Sequence, residues 1–312
     1  MQYPSRMELP HIRTFSYHYR NKFGTPVGKI PVDLGEPCPN RLKGGCIFCR
    51  AAAFSPGYLE DKGNVKSQIK RGRKQLLGGR FNKYFIYFQQ ETPTAIQDEI
   101  LLPIVEEVIA DVDCVGLIIS TRPDYLKESF LYKFSDLIKK YNKDCLFELG
   151  LQSIKPSSLK YLNRNHSYAD FLYAVQLLQS FGTFEVGVHL LLGIPGETEE
   201  DMISSIQKVC SLGVDALKIH HLQVLKDTPL ERIYEDGDVQ LFSKNDYLEL
   251  LIKILPMVPE NVVIHRLWAT AHPQMLIDTR WNILAAELSD GLRQMMDDRG
   301  IRQGDLCITS PE

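Results

Sequence analysis

The sequence predicts an α/β fold, a partial (β/α)6-type TIM-like barrel with short N- and C-terminal extensions. Three observations carry that expectation. Short β-prone runs alternate with helical patterns of roughly ten to fifteen residues, the signature of parallel βαβ units. Runs such as Val115–Ile119 are apolar on both faces, as strands buried beneath helices are. The residues that end these runs are unusually polar, and in barrels chemistry gathers at the carboxyl ends of the strands. No Gly-x-Gly-x-x-Gly follows the first run, which argues against a dinucleotide-binding sheet.

The elements follow in order. Residues 1–26 form a polar and aromatic N-terminal extension with room for one short helix. Residues 27–269 form the barrel, and residues 270–312 a C-terminal helical extension and tail. Strands are expected at Val27–Asp33, Lys83–Gln89, Val115–Ser120, Leu146–Leu151, Glu185–Leu192, Ala216–Val224 and Val262–Leu267. Helices are expected at Asn64–Gly79, Asp98–Ala110, Ser129–Tyr141, Tyr168–Phe181, Glu199–Leu212 and Asn245–Leu255. In the second of these, Ile100, Leu101, Ile104, Val105 and Val108 give an apolar stripe. A last helix, Ile283–Met296, runs towards Gly300, a plausible stop, and Ile301–Glu312 reads as a tail.

Composition narrows the function classes. With 44% hydrophobic and 24% charged residues, 312 residues suit one barrel-sized globular domain with additions. A net charge of -3 means that any nucleic-acid contact must come from a local patch. One run qualifies: Lys66, Lys70, Arg71, Arg73, Lys74, Arg80 and Lys83, with no acid between them. It is either a solvated helix face or a phosphate-contacting patch. Seven cysteines without a signal-like start predict a reducing cytoplasm. The longest apolar runs are strand-length, so no membrane association is expected.

The chemistry concentrates in Cys38-Pro-Asn-Arg-Leu-Lys-Gly-Gly-Cys46-Ile-Phe-Cys49. Thiolates are soft ligands that favour zinc or iron–sulfur clusters. Gly44-Gly45 lets the loop fold back so that Cys38 joins the Cys46-x2-Cys49 pair. The next cysteines, Cys114 and Cys145, lie far along the chain, so three ligands with a vacant fourth position point to a reactive centre. The alternative is a structural zinc completed by His11 or His18.

With an aromatic, Phe48, before the last cysteine, this stretch resembles the radical S-adenosylmethionine (SAM) superfamily. The wide first gap resembles its YhcC- and YtqA-like subgroup, related to the radical domain of the Elongator catalytic subunit. Thr121-Arg-Pro-Asp124, Glu148-Leu-Gly-Leu-Gln-Ser153, Asn163-Arg-Asn-His166, His189-x3-Gly193-Ile-Pro-Gly-Glu197, Lys218-Ile-His220 and Lys226-Asp-Thr-Pro-Leu230 follow that subgroup in order. The resemblance implies a [4Fe-4S] cluster on Cys38, Cys46 and Cys49, with SAM at the fourth site and cleaved reductively to a 5′-deoxyadenosyl radical. It implies a flavodoxin- or ferredoxin-type electron donor and tRNA, at the wobble uridine side chain, as substrate and partner. Phe48, Gln89, Thr92, Glu148, Gln152, Arg164, Gly193 and Gly196 are then the expected SAM-binding residues, and His189, Lys218 and His220 the catalytic candidates on the substrate side.

Each assignment has a plainer alternative. Gly193 and Gly196 can approach adenine or simply end a strand. Glu148 and Gln152 share a strand face and can bind SAM or pack a buried polar network. Arg164 can pair with the SAM carboxylate or lie on the surface. His189, Lys218 and His220 can be satisfied core residues. Gln89 and Thr92 stand where the superfamily usually has Gly-Gly-Glu, and Glu36 replaces an aromatic before the first cysteine. These departures allow a different substrate. A radical enzyme acting on a small metabolite and a non-catalytic iron–sulfur or zinc module are the competing functions.

Overall fold

The computed structural model describes residues 10–60, 64–279 and 281–307. Among these, seven strands run parallel in one sheet. They are β1 (Val27–Val32), β2 (Lys83–Phe88), β3 (Cys114–Thr121), β4 (Asp144–Gln152), β5 (Glu185–Leu192), β6 (Ala216–His221) and, after the two-residue β7 (Val224–Leu225), β8 (Val263–Arg266). Their order in the sheet follows the chain, β1-β2-β3-β4-β5-β6-β8. The sheet therefore curls into a partial barrel whose edges are β1 and β8, as the expected α/β class requires.

Helices cover the outside. They are α1 (Phe15–Phe23), α2 (Val65–Gly72), α3 (Asp98–Ile109), α4 (Glu128–Tyr141), α5 (Pro156–Tyr161), α6 (Tyr168–Ser180), α7 (Glu199–Cys210), α8 (Pro229–Glu235), α9 (Lys244–Ile254) and α10 (Ala285–Arg299). Outward-facing Ile30, Ile86, Leu117, Phe147, Val188 and Leu217 pack beneath them in the main core. Capping boxes at Ser167/Asp170 and Thr198/Asp201 start α6 and α7 where the chain leaves the cysteine-loop side of the barrel.

The barrel interior has two distinct halves. At its amino end Phe85, Ile118, Leu146, Ala216 and Val263 form an apolar floor, closed from below by Phe15 and Tyr19 of α1. The N-terminal extension thus plugs the barrel, starting from the Thr14 cap and a bridge from Thr14 to Ile264. Above this floor the interior turns polar. At β6–β8 the register slips: Leu217 faces Ile264, but Lys218 faces Arg266. The extra residue, His265, forms a bulge that lets both it and Arg266 serve the interior. Lys29 crosses the open seam from β1 to His265, Nζ to Nδ1 at 3.4 Å.

The structure departs from expectation in four places. The helix expected at Asn64–Gly79 ends at Gly72, and a π-helical turn over Arg73–Leu77 replaces its last part. The sixth strand breaks after His221, and β7 instead pairs antiparallel with β9 (Leu276–Asp278). Helices α5 and α8 are too short for a periodic pattern to reveal them. The expected tail is docked: the Gln303 amide donates to Pro259 O at 2.8 Å and Val262 O at 2.7 Å. Its last residues, 308–312, lie outside the described residues.

The basic run also changes character in space. Lys66 pairs with Glu107, Arg73 with Asp111 and Asp113, and Lys83 with Asp113. The acids absent between these cations in sequence come from the segments around β3. Moreover α2 runs antiparallel to the strands, so the run descends from the cysteine-loop side to the amino end of the barrel.

Candidate active site

The cysteine loop follows β1 and covers the carboxyl end of the sheet. It is gripped by the loop between α5 and α6. Asn163 donates its amide to Gly45 O at 2.6 Å and Lys43 O at 3.0 Å. Asn165 donates to the Asn40 carboxamide oxygen at 2.9 Å, and Asn40 in turn to Asn163 O at 2.8 Å. Asn163 and Asn165 both hold left-handed backbone, φ 52°, which asparagine tolerates better than most residues. Gly44, at φ 89°, makes the sharp return that brings Cys46 back towards Cys38. The Asn-Arg-Asn-His motif thus acts as a clamp on the cysteine loop.

Two of the three sulfurs accept hydrogen bonds. Cys46 Sγ accepts from Asn40 at 3.3 Å and from the Arg164 guanidinium at 3.2 Å. Thr92 donates to Cys38 Sγ at 3.1 Å. Glu91 accepts the Cys38 backbone N–H at 3.0 Å and a two-pronged contact from Arg41. Cys49 is exposed. Among the described residues no group of three histidine, cysteine or acidic side chains is arranged to hold a single metal ion. The alternative zinc ligands lie elsewhere: His11 pairs with Asp297 and His18 with Arg13.

Cys38, Cys46 and Cys49 line the rim of a cavity of about 200 Å³ that descends into the barrel. Phe48, Gln89, Glu148, Gln152, Arg164, His189, Lys218 and His220 line it too. Thr92 stands beside it through Cys38. Gly193 and Gly196 do not. They line a neighbouring cleft between the end of β5 and the start of α9, where a Cβ on Gly193 would fall 2.8 Å from the Phe242 ring. Arg164 is buried, not on the surface; besides Cys46 it bonds Gly150 O and the His166 ring.

Glu148 is the hub of a buried network. Its Oε2 accepts from Tyr87 at 2.5 Å, Ser120 at 2.8 Å and Lys218 at 3.2 Å, and its Oε1 lies 3.1 Å from His265 Nδ1. Lys218 also donates to Tyr87 at 2.7 Å. Burial alone would raise the Glu148 carboxyl, but Lys218, His265 and Lys29 outweigh it and hold the group well below the usual carboxylate range. Burial pulls Lys218 down, against the attraction of Glu148. His189 and His220 meet edge to face, 4.3 Å between centroids, and burial keeps both neutral.

Several buried polar atoms aimed into this space have no protein partner, among them Gln152 Oε1 and the Nε2 atoms of His189 and His220. Gln152 holds a left-handed φ of 77°, costly for a residue with a side chain and common at ligand sites. Three thiols around a polar cavity with open hydrogen-bonding atoms fit an iron–sulfur cluster with a polar organic ligand. Sequence reasoning missed Tyr87, His265, Arg266 and Glu91. Tyr87 was within reach, since it sits two residues before Gln89 on the same strand face.

Comparison with known proteins agrees with this geometry. Residues 35–209, more than half of the chain, match the Radical SAM superfamily, and residues 214–298 match the Radical_SAM C-terminal domain. The chain is 31% identical to the uncharacterized protein YtqA of Bacillus subtilis, over 93% of this chain and 91% of that one. It is 28% identical to a tRNA uridine(34) acetyltransferase of Methanocaldococcus infernus, over 61% of this chain and 34% of the relative. The solved structure of the archaeal Methanocaldococcus infernus Elp3 with an N-terminal deletion shares the fold, with a TM-score of 0.65 at 21% identity, covering 89% of this chain and 64% of that one.

Proposed function

This chain belongs to the radical SAM superfamily, an enzyme with a [4Fe-4S] cluster and SAM as cofactors, and on that premise we propose that it modifies the wobble uridine side chain of tRNA. The observation that carries the catalytic part is the placement of three thiols on the rim of a polar cavity at the carboxyl ends of the strands. Cys38, Cys46 and Cys49 would hold the cluster, which when bound would supply the one-electron chemistry for reductive cleavage of SAM. The donor of that electron is a small protein of flavodoxin or ferredoxin type, which would meet the exposed loop around Leu42 and Cys49.

The chain's own residues have separate tasks. Asn40, Thr92 and Arg164 donate to the sulfurs and would raise the potential of a cluster bound there. Phe48, Gln89 and Gln152 would contact SAM at the cavity wall, where Gln152 and the unpartnered histidine nitrogens would find hydrogen bonds. Glu148, already saturated, acts as an anchor that keeps Lys218 and Tyr87 in position. The apolar floor under α1 denies water a second route into the barrel.

For RNA as substrate, support comes from the tRNA uridine(34) acetyltransferase relatives. The basic run supports it less than its sequence suggests, because part of it is neutralised by acids. Nucleoside profiling of tRNA from a deletion strain tests the proposal. A wobble-uridine derivative should disappear or stall at a precursor. An unchanged profile, with SAM cleavage responding to a small metabolite instead, would overturn it.

A further inference from the structure

The polar layer beneath the cysteine loop carries more positive than negative charge. Four cationic side chains line the cavity: Arg122, Arg164, Lys218 and Arg266. Arg122 is paired with Asp124, and Arg164 lies against the Cys46 sulfur, which as a cluster ligand carries the balancing negative charge, as well as the neutral Gly150 O and His166 ring. Glu91, at the rim, is held by Arg41. That leaves Lys218 and Arg266 against Glu148, a surplus of one positive charge at the floor. Lys29 lies behind His265 and is not part of the cavity lining. Glu148 accepts from Lys218, whereas the half-buried Arg266 guanidinium faces the cavity with no hydrogen-bond or ion-pair partner among the described residues. His220, 7% exposed, aims an unpartnered Nε2 into the same space.

Lys218 is buried, and the half-buried Arg266 guanidinium opens on the cavity without a counter-ion, so the surplus favours an occupant with negative charge. SAM cannot be that counter-ion. It carries two positive groups, the sulfonium and the ammonium, against one carboxylate, and so adds to the surplus. A monoanion balances the lining cations, whereas a phosphate dianion would overshoot. The planar guanidinium fork of Arg266 matches a carboxylate. We propose that this floor is an anion site that receives a carboxylate carried by the substrate, with Arg266 and Lys218 as charged donors and His220 as a neutral one. The inference rests on the cavity being the place of the radical step, and it narrows the substrate to a carboxylate-bearing one. The carboxylate sits either on a nucleoside side chain in tRNA or on a free small acid.

Binding is tested on the full chain by nuclear magnetic resonance titration with labelled acetate, acetamide and inorganic phosphate at constant ionic strength. Acetate should bind and the other two should not. Arg266→Gln should weaken acetate about tenfold, the loss expected for one charge-assisted contact, and Arg266→Lys should recover most of it. Iron content and SAM affinity should stay unchanged in both. Equal binding of acetate and acetamide by the parent chain overturns the proposal without any variant, and so does equal acetate affinity in parent and Arg266→Gln. The source is then resolved on cluster-loaded protein by following 5′-deoxyadenosine. Stimulation by tRNA from a deletion strain that has accumulated a carboxylate-bearing nucleoside supports the floor and the RNA substrate together. Stimulation by free acids alone supports the floor and overturns the RNA substrate.

Discussion

Lys29 shows how one side chain can set the pH response of the barrel. Burial pulls its ammonium from the ordinary 10.5 down to about 7; Glu148 opposes this, and Lys218 and Arg266 reinforce it. Between those two values the unfolded chain binds the extra proton, so stability should rise with pH through that window. Lys29→Met should flatten the rise and stabilise the protein near neutral pH, which urea midpoints at pH 7, 8 and 9 would register. Parallel pH profiles for parent and variant would contradict this. Cys46 is the complementary case. Its sulfur accepts from Asn40 and Arg164, so Cys46→Ala should abolish iron binding and leave the fold intact, because the clamp on the loop runs through asparagines. Iron analysis and circular dichroism of the same sample check both halves.

The loop between α5 and α6 and the cysteine loop behave as one unit. Asn163→Ala removes two donors to cysteine-loop carbonyls and leaves alanine at φ 52°. It should cost about 1–3 kcal/mol and loosen cluster retention, which iron loss under a chelator would report. Retention equal to the parent's would contradict the clamp. Strand β3 offers a test of packing. A Cβ on Gly116 would meet Asp144 O at 2.3 Å and the Phe85 ring at 2.7 Å. Gly116→Ala should therefore force β3 and β4 apart and lower stability by about 1–3 kcal/mol. The alternating strands and the longer helices were legible in the sequence because hydrophobic periodicity spans each of them. The π-helical turn after Gly72 and the short helices α5 and α8 were not, because one or two turns carry no readable period. The cysteine rim was legible because its ligands are neighbours in sequence. The Glu148 hub was legible only as a choice between ligand and buried network, since Lys29, Tyr87, Ser120, Lys218 and His265 converge from five strands. The paired state of the basic run was hidden for the same reason: its acids lie near β3 and in α3.

Histidine burial gives the molecule as a whole an acid-sensitive fold. Burial holds His18, His166 and His265 down at about 4 and His221 at about 3, and pushes His189 and His220 well below their ordinary value. Each is neutral when folded and takes up a proton when unfolded below about 6.5. Stability should therefore fall steadily as pH drops from 6.5 towards 4, and a flat urea midpoint over that range would argue against this burial. The apolar plug beneath and the polar, cation-rich layer above it give the barrel a single working end, and that end carries the thiols. Anaerobic reconstitution of the full chain, reduction, and assay for 5′-deoxyadenosine from SAM tests this most directly. We predict about four irons and four sulfides per chain, with 5′-deoxyadenosine formed by the parent and absent with Cys46→Ala. A parent chain that binds one metal ion and cleaves no SAM, or a Cys46→Ala variant that cleaves it as well as the parent, would contradict the account.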